Sequence, residues 1–121
     1  MNFFRRLFHR RDRDVLPRAG EPDQAVIVYL NGTSLPDSVY EEYDLITLED
    51  RLRAAVARQN LGEFDGDEMG PTETALFLYG PDAEALFAGI ERTLRDYPLC
   101  QGARVVLRRG GPGAEQREVT L

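Results

Sequence analysis

Residues 62–70, GEFDGDEMG, place four carboxylates, Glu63, Asp65, Asp67 and Glu68, among three glycines. Carboxylates this dense can bind a cation, act as an acid–base pair, or keep an exposed turn hydrated. On a strand, Glu63, Asp65 and Asp67 fall on one face at period two, with Phe64 on the other. Alternating oxygen donors resemble the start of a calcium loop, which also needs glycine at its sixth position and a bidentate glutamate at its twelfth. Counted from Glu63, those positions hold Glu68 and Thr74; counted from Asp65, they hold Gly70 and Leu76. Neither register completes the loop, so Glu63, Asp65 and Asp67 stay weak metal candidates. The preferred reading is a charged hairpin whose glycines turn the chain and whose acids face outward from an edge strand.

Other chemistry is scarce. The single histidine, His9, lies in a basic terminal stretch, and all fifteen basic residues are arginines. No Ser–His–Asp or Cys–His arrangement can be anchored in the body, and lysine Schiff-base chemistry is excluded. Paired carboxylates could hydrolyse a glycoside, but that needs a cleft a chain this short seldom provides. GGPG at 110–113 lacks the strand-then-helix setting of a phosphate cradle and reads as a hairpin tip. Cys100 has no basic residue within three positions and reads as an idle thiol. The expectation is a non-enzymatic chain with no cofactor.

The elements that must position these residues follow from patterning. AVIVYL (25–30) and TETALFLY (72–79) are apolar on both faces, as strands of a covered sheet are. Residues 39–46 suggest a loop or short helical turn. Thr47 is placed as the N-cap of a helix running through Gln59, with Leu48, Leu52, Ala55 and Val56 on its apolar face and Asn60 and Gly62 as stops. Residues 63–66 form a short strand. Residues 80–98 read as a helix with Pro81 in its first turn and a stripe of Leu86, Phe87, Ile90 and Leu94. Residues 103–109 and 116–121 are strands forming a hairpin. The order β-α-β-β-α-β plus a terminal strand fits an α+β, ferredoxin-like fold, an antiparallel sheet with two helices on one face. Its first and third strands should be interior, and they are the most apolar.

That arrangement leaves a second sheet face apolar. Dimerisation through this open face is the preferred consequence; the amino-terminal segment and an apolar ligand are the other candidate covers. The chain divides into a basic tail and linker, 1–24, and one domain, 25–121. Residues 1–20 carry six arginines against two acids, whereas 21–121 carry nine arginines against nineteen acids. A body this acidic disfavours nucleic acid. Phe3, Phe4, Leu7 and Phe8 at helical spacing, with Arg5, Arg6, Arg10 and Arg11 between them, could dock on an anionic membrane or fold back on the body. Charge interrupts every apolar run there, which argues against a secretory signal, and the lone cysteine fits a reducing compartment; the cytoplasm is the expected location.

Residues 62–70, together with YGPDA at 79–83, resemble a group of small bacterial proteins of unassigned function sharing the pattern G-E-F-D-G-x-E-x-G. The resemblance implies a bacterial source and transfers no activity. Small size and acidity are also similar to those of bacterial immunity proteins. The resulting expectation is a homodimeric protein–protein interaction domain. Its acidic surface, Glu41, Glu42, Asp44, Glu63, Asp65, Asp67 and Glu68, would meet a basic partner. A membrane-associated protein, an inhibitor of a basic toxin, and a divalent-cation binder at 63–68 are the alternatives.

Overall fold

The computed structural model describes residues 24–121. It contains strands β1 (Gln24–Asn31), β2 (Glu63–Met69), β3 (Glu73–Gly80), β4 (Arg104–Arg108) and β5 (Gln116–Thr120). Three helices join them: α1 (Asp37–Glu42), α2 (Leu45–Gln59) and α3 (Ala83–Asp96), followed by a 3-10 turn at Pro98–Cys100. The fold is α+β. Its single five-stranded sheet has the order β2-β3-β1-β4-β5, and every neighbouring pair is antiparallel. The first and third strands are interior, as their apolar patterning requires.

Each face of the sheet carries its own apolar cluster. Val26, Val28 and Leu30 of β1, Leu76 and Leu78 of β3, and Val105 and Leu107 of β4 pack against Leu48, Leu52 and Val56 of α2 and Leu86, Ile90 and Leu94 of α3. The alternate residues, Ala25, Ile27, Ala75, Phe77 and Val106, form a second cluster with Tyr29 and Tyr79 at its margin. Among the described residues, no helical one belongs to it. A period of two in the side-chain direction turns one continuous apolar run into two separate cores.

Local chemistry shifts several boundaries. Asp44, not Thr47, caps α2: the Thr47 N–H donates to Asp44 Oδ1 at 2.7 Å. Aspartate's short carboxylate reaches the third backbone N–H, and Thr47 falls inside the first turn. Asn60 closes the helix in the left-handed region, at φ 55°. Helix α3 is shorter than its 80–98 pattern. Asp82 caps it by accepting from the N–H groups of Glu84 and Ala85, which puts Pro81 before the cap rather than in the first turn. Residues 37–42 are helical, although nothing in their pattern buries a side chain fully. Residues 110–113 do lie at the tip between β4 and β5, closed by Arg109 N–H to Glu115 O at 2.8 Å.

Candidate interaction surface

The acidic stretch is an edge strand, as expected for 63–66, and it runs on to Met69. The turn is Gly70–Pro71–Thr72, where the Gly70 N–H donates to Glu73 O at 2.8 Å. The period-two expectation for 63, 65 and 67 fails because the register against β3 shifts between Phe64 and Gly66. Gly66, at φ 112°, supplies the left-handed residue of a β-bulge. Glu63 pairs with Tyr79 and Glu68 with Ala75, which puts both in register with the helix-free face. Asp67 pairs with Leu76 and belongs to the helix side. Asp65 is at the bulge and only 6% exposed, so the acids do not all face outward. The bulge thus divides the three weak metal candidates. Among the described residues no group of three or more His, Cys, Asp or Glu stands close enough to hold a metal ion.

Of the sequence-predicted acids, Glu42, Asp44 and Glu68 line adjoining depressions at one end of the sheet, Glu41, Asp65 and Asp67 line none of these, and Glu63, in register with Tyr79, lies at the other end of β2. Tyr40 anchors α1 at the first of these ends: its hydroxyl donates to Asn31 O at 2.9 Å and accepts the Leu35 N–H at 3.1 Å. Asn31 ends β1 with an Asx turn, its Oδ1 accepting from the N–H groups of Thr33 and Ser34. Behind α1, the Tyr97 hydroxyl donates to Asp44 O at 2.6 Å and the Tyr43 ring meets the Tyr97 ring edge-on at 5.6 Å. Burial raises the pKa of Tyr97, and the neighbouring Asp44 charge adds to this. Asp44 is a structural residue as well as an exposed one. The bond from the Thr47 N–H holds its carboxyl below the usual range, so it is ionised at neutral pH.

Three depressions adjoin along this end. One of about 270 Å³ lies beside the β2–β3 turn, between Tyr29, Glu68, Met69 and Glu73. The next, about 320 Å³, shares Met69 and reaches Leu30, Tyr40, Tyr43 and Asp44. A third, about 360 Å³, shares Tyr43 and Asp44 and extends to Glu42, Arg51 and Asp96. Met69 projects between the first two and is 52% exposed. Together they make a groove with tyrosine walls, a methionine at its middle and carboxylates along its length. Arg51 is the cation inside it, stacked 5.2 Å over the Tyr97 ring. Glu73 is paired with Arg104 at 2.9 Å and Asp96 with Arg92 at 3.5 Å, whereas Glu41 and Glu42 make no ion pair among the described residues.

Sequence reasoning named Glu41, Glu42, Asp44 and Glu68 but missed Met69, Tyr40 and Tyr43. Their signal was a methionine beside a Gly-Pro turn and two tyrosines three apart, Tyr40 on α1 and Tyr43 at its C-cap, both half-buried against the helix-side core. Phe3, Phe4, Arg5, Arg6, Leu7, Phe8, Arg10 and Arg11 lie outside the described residues. Cys100 is buried, and burial pushes its thiol up to about 12. No described helix is long and apolar enough to cross a membrane. Comparison with known protein families, curated proteins and solved structures finds no match.

Proposed function

We propose that this chain is a non-enzymatic interaction domain that binds a basic, extended segment of a partner protein in the groove at the α1 and β2–β3 end. The observation that carries the reading is the run of three adjoining depressions, the first two joined at Met69 and the last two at Tyr43 and Asp44. Methionine and tyrosine are enriched at protein interfaces, methionine because its flexible thioether adapts to the partner's shape and tyrosine because it offers a large contact at low ordering cost. The carboxylates would select a basic partner and speed its approach. For the fold we propose a ferredoxin-like unit formed by β1-α2-β2-β3-α3-β4, with β5 added at one edge. The order β2-β3-β1-β4 and the placement of α2 and α3 against one face support it. A bacterial source and a cytoplasmic location belong to this proposal.

A homodimer through the helix-free face has less support. Its five apolar residues keep 9% or less of their surface within one chain, which leaves little area for a second copy. The groove is tested by a photo-cross-linking residue in the full chain inside cells, once at Met69 and once at Arg92. The expected result is an adduct with a basic protein from position 69 only, lost when Glu41→Lys and Glu42→Lys are added. Equal adducts from both positions, or none from position 69, would refute the groove.

A further inference from the structure

We propose that the middle depression of the groove seats one aromatic side chain of the partner segment, with a basic residue two positions to either side of it. The proposal rests on the groove as the partner-binding surface and adds what the partner's sequence must contain. The chemistry of the groove changes along its length. Glu68 and Glu73 line the first depression, and Glu42, Asp44 and Asp96 line the third. Asp44 is the one carboxylate among the described residues lining the middle depression, and its Oδ1 already accepts the Thr47 N–H. The rest of that lining carries no charge. Its base belongs to the core: Leu30 is 3% exposed and Leu99 8%. Its walls are fixed before anything binds. The Tyr40 hydroxyl both donates and accepts within the chain, and Tyr43 rests edge-on against Tyr97, whose hydroxyl donates to the Asp44 carbonyl. Walls ordered in advance lower the cost of binding. Met69 is the adaptable member, half in solvent. Tyrosine rings and a thioether suit a further ring, which packs edge to face on the one and ring edge to sulfur on the other.

A side-chain anchor is also what the backbone allows. Strands β1 and β3 are interior, and the Asn31 carbonyl that ends β1 accepts the Tyr40 hydroxyl. A segment crossing their ends cannot join the sheet as an added strand, so its side chains must supply the contact. The cube root of the middle depression's volume, about 320 Å³, is ~7 Å, which matches two residues of extended chain at ~3.3 Å each. Residues two apart on an extended chain point the same way. An aromatic side chain in the middle depression therefore sends the side chains two before and two after it into the outer depressions. Glu42, which makes no ion pair among the described residues, favours arginine or lysine on one side. Glu68 and Glu73 do so on the other.

Amide signals of the isotope-labelled full chain test this with the peptide Arg-Ser-Phe-Ser-Arg. The expected result is a saturable shift of the Asn31, Tyr43, Leu45 and Thr74 signals. Arg-Ser-Ala-Ser-Arg should bind about tenfold more weakly, the loss expected when an anchor side chain is truncated. Met69→Ala, an exposed site at which Tm should hold, should weaken the phenylalanine peptide by about fivefold and leave the alanine peptide unchanged. Ile46→Ala, at an exposed apolar residue outside the three depressions, should change neither. Equal binding of the two peptides, both lost with Glu42→Lys, would refute the anchor and leave the basic-partner groove standing. Undiminished binding of Gln-Ser-Phe-Ser-Gln would refute the basic flanks and the basic partner alike. No shift of these signals with any of the peptides overturns both the anchor and the groove.

Discussion

Phe77 and Leu78 are neighbours on β3 that point to opposite faces, and replacing each by alanine tests the two-core architecture. Leu78 is fully buried between Val26 and Phe64 in the helix-side core. Leu78→Ala is expected to cost about 3 kcal/mol, the usual range for deleting a buried leucine side chain. Phe77 is 9% exposed, paired with Ile27 and Gly66 on the helix-free face. If that face is a closed core, Phe77→Ala costs about 4 kcal/mol. If it is a bare sheet surface, only strand preference is lost, about 1 kcal/mol. Urea unfolding separates the two. With a slope of about 2 kcal/mol/M, 4 kcal/mol moves the midpoint by ~2 M and 1 kcal/mol by ~0.5 M. Phe77→Leu keeps the comparison in range should the alanine variant unfold. A Phe77→Ala midpoint shift below ~0.5 M at unchanged slope, beside a large shift for Leu78→Ala, would refute the second core.

Three other outcomes follow from local geometry. Gly62→Ala should cost about 2 kcal/mol or more, because Gly62 sits at φ 144° with the Tyr79 carbonyl where a Cβ would go; Gly111→Ala, with open space around it, should stay within ~0.5 kcal/mol in the same melts. Cys100 should resist a thiol reagent at about pH 8 in the folded chain and react at once in denaturant, since burial lifts its thiol to about 12. The Arg117 guanidinium, in two 2.7 Å bonds, holds the Glu84 carboxyl below the ordinary range. A depressed folded-state value means this contribution is present above the unfolded value of about 4.3 and is lost as pH falls through the folded one. The Tm difference between wild type and Glu84→Gln should therefore be largest near pH 7 and shrink as pH falls well below 4.3; a difference that grew on acidification would contradict the pairing.

Strands β1 and β3 were legible because their apolar residues fill both positions of the pleat, a signal that survives any register. The stripes of α2 and α3 were legible for the same reason at period 3.6. The caps were misplaced because Asp44 and Thr47 are both good capping residues by type, and only the chain path decides which meets a free N–H. The bulge at Asp65–Gly66 was illegible, since a single extra residue on an edge strand leaves no mark on composition, yet it reassigns every acid after it to the other face. The groove was half legible. Its acids stood out, but Met69, Tyr40 and Tyr43 become one surface only when the β2–β3 turn is brought beside α1 by the β1–β3 pairing.

If both sheet faces are buried within one chain, the acidic groove is left as the contact surface and the protein is monomeric. Light scattering over a wide concentration range decides between these states. The mass of a single chain, 13.7 kDa, is expected throughout. A mass of twice that value, reverting to one chain when Ala75→Arg is introduced, would make the helix-free face the contact surface and contradict it.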